Sequence, residues 1–403
     1  MNQRQLIVFS TKAALAWAFG WPSFAPVRTP EMLPPPELPF KGTIGRRSGV
    51  PAAAASAFQQ LGAENNGRRP PAMLSSGEIS MSTLYQHILS RRRFCLCCMG
   101  AATFAATGGW LTPSQSYAEA GNIVDLIRDD AAKATIKVHR LRGNVSILEG
   151  SGGNIAVLTG DDGKVFVDAG ITPSRPRILE AANGLGRDPI THLINTHWHF
   201  DHTDGNQWLN GEGAAILAHE NTHKHLLTAQ RVEDWDFNFP SSPLAAVPTE
   251  VFSSEKTLTL NRSTLALKYY GPAHTDCDIS VTFREADIIH CGDTYWNGIY
   301  PFIDYSTGGN IQGMITATER NLAVTTDQTI VIPGHGVPVS NKAELQAYRD
   351  MLVAIRDNVA KLKEQGRSLD EIIAAKPTAA FDAKWGQFVI TPAMFTRLVY
   401  EGA

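Results

Sequence analysis

Residues 197 to 202 read His-Trp-His-Phe-Asp-His, which puts three imidazoles and one carboxylate into six residues. Nitrogen and oxygen donors at that density suit a borderline divalent ion such as zinc, which takes His and Asp at about 2.0–2.2 Å. Three later fragments offer more donors: His274 in Gly271-Pro272-Ala273-His274-Thr275, Asp293 after Cys291-Gly292, and His335 in Pro333-Gly334-His335-Gly336. Each is followed or preceded by Gly or Pro turn chemistry, so each reads as the end of a strand opening into a turn. Ligands at strand ends sit on rigid scaffold and face a cleft.

The elements that must deliver these residues are short and punctuated. Val145–Leu148, Ile155–Leu158 and Val165–Val167 are β-type runs separated by Gly150-Ser151-Gly152-Gly153 and Asp161-Asp162-Gly163. A helix is expected over Pro173–Ala182, and the strand Ile190–Asn195 leads into the histidine cluster. Helix, strand and helix follow at Thr203–Leu209, Ala214–Ala218 and Glu220–Thr228. Val232 to Pro248, with Trp235, Phe237 and Phe239, has no clear period and reads as a long functional loop. Strands return at Thr257–Leu260, Leu265–Tyr270, Ile279–Phe283 and Ile288–Cys291, then a helix near Gly313–Leu322 and a buried strand Gln328–Ile332. The last long helix is the best signalled: Asn341 caps it with Glu344 three residues on, Leu345, Tyr348, Leu352, Ile355, Val359 and Leu362 keep helical spacing, and Gly366 ends it. Two β-rich halves, each followed by helices, give an α+β class and suggest a four-layer αββα sandwich.

The first part of the 403-residue chain is different in kind. Ten of the 23 prolines precede residue 72, with no sustained apolar period, so residues 1–80 are expected to be disordered or an over-extended reading frame before Met81. Residues 81–118 then carry Arg91-Arg92-Arg93-Phe94, an uncharged run from Cys95 to Leu111 and Ser116-Tyr117-Ala118, the parts of an export signal. The arginine pair resembles a twin-arginine signal, which implies a transient contact with that translocase, a periplasmic or otherwise exported product, and no stable membrane anchor after cleavage. Lys at Arg91 and Arg92 is then expected to hold the protein in the cytoplasm. The body, residues 119–403, carries 25 basic against 35 acidic groups, a net of −10, which disfavours a nucleic-acid substrate and points to a small molecule. It keeps two cysteines, Cys277 and Cys291, expected as buried thiols without a disulfide framework.

The order His-x-His-x-Asp-His, His, Asp, His over about residues 145–340 resembles the metallo-β-lactamase superfamily. That resemblance implies a first metal on His197, His199 and His274, a second on Asp201, His202 and His335, and Asp293 bridging them. Two divalent ions about 3.5–4 Å apart share a water, lower its pKa and present it as hydroxide. Asp201 would orient that hydroxide and shuttle a proton to the departing atom, so no protein nucleophile is required. Two Zn(2+) are expected, with Fe or Mn tolerated by the same donors. Asp293, where one class of zinc β-lactamases has Cys, is similar instead to thioesterases of the glyoxalase II kind, lactonases and phosphodiesterases. The expectation is an exported dinuclear zinc hydrolase that opens an ester, lactone, β-lactam or similar acyl bond, with a thioesterase or phosphodiesterase as the rival enzyme. A non-catalytic metal-binding protein is the rival from another class, and predicts saturated coordination and no turnover.

Other residues are ambiguous. His219 and His223, four apart on an expected helix, could chelate an ion but read better as surface residues. His290 reads as packed on its strand. Tyr295, Trp296, Tyr300 and Phe302 could wall the cleft or fill the core, and Tyr295 could donate to a developing oxyanion. Trp198 and Phe200, alternating with the ligands, should point away from the metals as packing residues.

Overall fold

The structure, a computed structural model, describes residues 123–403. The expected N-terminal segment 1–80 and export signal 81–118 lie outside the described residues. The first half runs α1 (Ile123–Ala131), β1 (Lys137–Arg140), β2 (Val145–Glu149), β3 (Ile155–Leu158), β4 (Lys164–Val167), α2 (Arg175–Asn183), β5 (Ile190–Ile194), α3 (Phe200–Thr203), α4 (Asn206–Gly211), β6 (Ala215–His219), α5 (Glu220–Leu227), β7 (Gln230–Val232), β8 (Phe237–Phe239) and β9 (Glu250–Phe252). The second half runs β10 (Glu255–Leu260), β11 (Ser263–Tyr269), β12 (Ile279–Phe283), β13 (Ile288–His290), β14 (Trp296–Asn297), α6 (Ile311–Val324), β15 (Ile330–Ile332), β16 (His335–Gly336), α7 (Lys342–Glu364), α8 (Leu369–Ala375), α9 (Asp382–Trp385) and α10 (Pro392–Gly402).

A seven-stranded sheet has the order β1-β2-β3-β4-β5-β6-β9, and a five-stranded sheet the order β10-β11-β12-β13-β15. Side chains alternate across a strand, and here both faces are covered. Val145, Ile147, Ala156, Leu158, Val165 and Val167 point into a core shared with Leu265, Leu267, Ile279, Val281 and Phe283 of the other sheet. The intervening Leu148, Ile155, Val157 and Phe166 face outward onto Ile178 and Ala182 of α2 and Trp208 and Leu209 of α4. On the far side, Ile289 and Val331 pack on Met314 and Ile315 of α6 and on the stripe Leu345, Tyr348, Leu352, Ile355 and Val359 of α7. The layers are therefore helix, sheet, sheet, helix, the expected α+β sandwich. Each fully buried aliphatic side chain of this kind contributes about 1.5–3 kcal/mol.

Strand direction decides where the site forms. β4, β5 and β6 run parallel to one another, and β13 runs parallel to β15. β11 is antiparallel to β12, which is antiparallel to β13, so β11 and β13 also point the same way. The carboxyl ends of β4 and β5 therefore share one edge of their sheet, and those of β11, β13 and β15 one edge of the other. Open sheets with parallel strands bind ligands at such ends.

Several elements differ from the sequence reading. The helix expected over Thr203–Leu209 is two short pieces, α3 and α4, separated at Asp204-Gly205, and α3 begins early enough to include Asp201 and His202. The loop after Val232 contains the antiparallel hairpin of β7 and β8; three-residue strands are too short to show a period. β1 and β9 are mostly exposed, so neither carries an apolar alternation. The helices after α7 went unread, although the capping box of Ser368 and Glu371 announces α8. The cap of α7 forms as expected, with Asn341 Oδ1 accepting from Glu344 N at 3.0 Å. Among the described residues no helix is long and apolar enough to cross a membrane.

Candidate metal centre

Four strand ends converge. β5 leads through Asn195 and Thr196 to His197 and His199, and α3 follows at once with Asp201 and His202. The turn after β11 supplies His274, a turn of 3-10 helix after β13 supplies Asp293, and the turn after β15 supplies His335. The parallel pair β14 and β16 sets Trp296 opposite His335 and fixes the last fragment. All seven sequence-selected residues fall in one cluster. Their ligand atoms form three groups within 4.8 Å: His197, His199 and His274; His197, His202 and Asp293; Asp201, His202 and His335.

Asp293 lies at the centre. Its Oδ2 is 3.9 Å from His197 Nε2, 3.4 Å from His274 Nε2 and 3.3 Å from His335 Nε2, while Oδ1 is 3.2 Å from His202 Nε2. One carboxylate thus faces imidazoles of both triads. Asp201 Oδ2 is 3.1 Å from His335 Nε2 and 3.6 Å from His202 Nε2. His199 Nδ1 lies 2.8 Å from His274 Nε2, and His202 Nε2 3.3 Å from His335 Nε2. Glycine is needed where the loops touch this cluster: a Cβ on Gly334 would collide with Asp293 Oδ1, and one on Gly153 with the His202 ring.

The two triads differ electrostatically. Burial holds His197 well below its ordinary range, helped by neighbouring His202, and burial takes His274 down to about 4 against the pull of Asp293. Burial also opposes charge on His202, yet Asp293, Asp201 and Asp168 together raise it well above the usual value. His335, likewise buried against charging, is lifted to about 9 by Asp293 and Asp201. Burial would raise Asp201, but His202 and His335 bring it down to about 2. Asp293 is held well below the carboxylate range, burial being outweighed by His335, His202, His197 and His274.

Two buried atoms, His197 Nε2 and Asp293 Oδ1, have no hydrogen-bond partner. Unpaired buried polar atoms are costly and rare, and cations seated among these donors would satisfy both. The donor set of imidazoles and carboxylates, with buried neutral nitrogens crowded together, fits divalent metal ions.

Outer partners orient the rings. Asp168 Oδ2 sits 2.8 Å from His202 Nδ1, and Asp168 also accepts from Thr196 N at 2.7 Å and Thr196 Oγ1 at 2.8 Å. Thr196 Oγ1 in turn meets His197 Nδ1 at 3.0 Å. Asp304 Oδ2 takes His199 Nε2 at 3.0 Å, which turns Nδ1 of that ring towards the cluster. The Phe302 carbonyl takes His274 Nδ1 at 2.8 Å. Carboxylate and carbonyl partners of this kind fix ring orientation in metal sites. Sequence reading missed Asp168, Thr196 and Asp304. Asp168 had a signal, a lone carboxylate ahead of Ala169-Gly170 at a strand end, and it adopts φ 68°, which Asp tolerates better than most residues. Asp304 had none.

The ambiguous residues resolve. Tyr295 is wholly buried, with its hydroxyl 2.8 Å from Ser340 Oγ, so it cannot face an oxyanion in the cleft. Tyr300 is core as well, stacked on Phe395. Trp296 and Phe302 do line the cavity; Phe200 packs in the core as expected, stacked on Phe239, and also presents an edge to the cavity. Trp198 is buried, its indole N–H donating to Thr307 Oγ1. His219 and His223 do not share a site: His219 is buried rather than on the surface, pairs with the Ser253 carbonyl and caps α5, while His223 pairs with the Pro248 carbonyl. His290 is packed, pairing with the Asn154 carbonyl. Cys277 and Cys291 are buried free thiols.

Residues 148–362 match the family model described as Metallo-beta-lactamase superfamily. Two relatives named hydroxyacylglutathione hydrolase match more weakly. That of Rhodospirillum rubrum is 25% identical over 39% of this chain and 52% of its own length, and that of a Polaromonas species 29% identical over 36% and 48%. The chain thus spans about half the length of the curated relatives it matches. Among solved structures, the stereoselective inverting sec-alkylsulfatase Pisa1 from Pseudomonas sp. superposes with a TM-score of 0.50 at 15% identity, over 75% of this chain and 54% of that one. A metallo-beta-lactamase from Pontibacter korlensis superposes with a TM-score of 0.45 at 18% identity, over 54% and 99%. At such identities the structural likeness concerns the fold.

Proposed function

The chain belongs to the metallo-beta-lactamase superfamily, and from that premise we propose that it is a two-metal hydrolase, zinc-dependent, that opens an ester, lactone, thioester or β-lactam acyl bond. The observation that carries this reading is the Asp293 carboxylate, which faces imidazoles of both triads at 3.2–3.9 Å. His197, His199 and His274 would hold one ion, Asp201, His202 and His335 the other, and Asp293 both. When bound, such a pair supplies Lewis acidity to a carbonyl and lowers the pKa of a shared water.

The chain's own residues do the rest. Asp201 turns Oδ2 to His335, which leaves Oδ1 to orient the attacking water, accept its proton and return it to the leaving atom. Asp168 and Asp304 hold His202 and His199 in their ligating orientation. No serine or cysteine nucleophile is needed, and the two buried thiols lie off the path. The names of the two bacterial relatives favour a thioester within this reaction class. The signal-like run around Arg91-Arg92 supports an exported, periplasmic enzyme.

The full chain should carry about two ions and hydrolyse at least one of a chromogenic ester, lactone, thioester, β-lactam and phosphodiester panel in a chelator-sensitive way. Asp293→Asn should cost more than the roughly 10–100-fold typical of losing an outer partner, and should loosen both ions. Fewer than one bound ion per chain, or turnover indifferent to chelator, would overturn the reading.

A further inference from the structure

Beside the cluster lies a cavity of about 430 Å³, lined in part by Asp201, His274, Asp293 and His335. That is within the usual range for small-molecule sites. Its other walls come from three places distant in sequence: Ile123 and Ile127 of α1, Trp235 in the turn between β7 and β8, and Val389 between α9 and α10. Phe200 and Phe302 line it beside the candidate ligands. Trp235 stacks on Phe302 with centroids 5.1 Å apart and meets Phe200 edge-on at 5.8 Å. The turn that carries Trp235 is tied down, because Asp234 accepts from Arg397 of α10.

The charged lining residues other than candidate ligands are Asp130, Lys133, Lys137 and Glu149, all where α1 passes into β1 and β2 ends. Lys137 Nζ is 4.0 Å from Glu149 Oε1, so that end is of mixed sign. Among the described residues, no lysine or arginine of the lining lies on the aromatic elements beside the cluster. A substrate carboxylate placed there would lose its water without a partner, whereas an apolar arm would displace water from side chains that bind it poorly.

We propose that the substrate is an ester or lactone whose acyl group carries an uncharged apolar arm, alkyl or aryl, seated between Ile127, Trp235 and Phe302 while its carbonyl meets the metal ligands. This rests on the hydrolytic reading above. It moves acyl compounds with polar, carboxylate-bearing arms, among them most β-lactams and glutathione thioesters, below apolar esters.

The test uses the full-length, zinc-loaded protein in two parallel series: turnover of p-nitrophenyl esters from acetyl to decanoyl, and binding of unbranched alkyl hydroxamic acids of the same lengths by calorimetry. Both kcat/KM and hydroxamate affinity should rise by about fourfold for each methylene buried until the cavity is full. Trp235→Ala and Ile127→Asp, changes to two half-buried side chains on different elements, should each flatten both slopes. Turnover with no rise along either series would overturn the inference and leave the hydrolase intact. Hydroxamate affinity that climbs with length without turnover of any ester would support the apolar pocket and sink the hydrolytic reading. Flat slopes and no turnover would sink both.

Discussion

The two triads of the cluster are built from the same residue types yet occupy different environments. His197, His199 and His274 are essentially inaccessible, each with its other ring nitrogen engaged by Thr196, Asp304 or the Phe302 carbonyl. In the other triad His202 is buried, but Asp201 and His335 keep 14% and 15% of their side-chain surface open towards the cavity. On the proposed hydrolytic reading, the closed triad serves as a mount and the open one as the side that a water and a leaving group would reach. The contrast also sets charge: burial keeps His197 and His274 neutral, whereas carboxylates facing His202 and His335 favour their protonated forms in the metal-free protein.

The sharpest way to break this comparison is one ligand from each side. His199→Ala removes one buried partner of Asp304, whose carboxylate then keeps only Ser306 and Thr307, and should cost about 1.5–3 kcal/mol of stability. His335→Ala should abolish activity as fully, lose one ion of two, and cost much less stability, since its site opens to solvent. Thermal melts with metal analysis on both variants read this out; equal destabilisation would mean the triads are not differently mounted.

A smaller effect separates the outer carboxylates. Asp168→Asn should weaken both ions by roughly 10–100-fold, since it orients His202 directly and His197 through Thr196. Asp304→Asn, a change to a side chain that touches only His199 among the ligands, should weaken one ion and spare the other. Competition against a chromogenic chelator measures each step, and identical losses would count against a division of labour.

The smallest effect is in pH. His335, raised to about 9, must shed its proton before it can ligate. The open-triad ion should therefore bind more tightly as pH rises, by up to about tenfold per pH unit for each of His202 and His335 that must lose a proton. Stability of the chelated protein should move oppositely. A raised histidine stabilises fully below its unfolded value of about 6.5 and loses that contribution as pH climbs through 9. Asp201, lowered to about 2, stabilises above its unfolded value near 3.8 and fails as pH falls through 2. Melts of chelated protein should thus be higher at about pH 6 than at about pH 9.5, and the reverse order would contradict the charge assignment.

Much of the scaffold was legible because it is periodic or punctuated. The stripe from Leu345 to Val359 and the cap at Asn341 specify α7 locally, and the short apolar run Ile155 to Leu158 between glycine-rich turns specifies β3. The hairpin of β7 and β8 was not legible, because its three-residue strands are held by Trp235 packing on Phe302 and Phe239 packing on Trp198 and Phe200, rings far away in the chain. Tyr295 misled for the opposite reason. Its place in the chain is next to Asp293, but the strand pair that follows sends its side chain into the core.

Residue chemistry by itself determined that this protein carries seven metal-type donors at strand ends, because imidazoles and carboxylates at such density have few other uses. The tertiary structure decided which donors are sealed and which are open, that Asp293 stands between the two sets, and that the space beside them is apolar. Those properties depend on residues far apart in the chain, Ile127 against Trp235 or Asp304 against His199, and no local spacing encodes a contact that only the packing of two sheets creates.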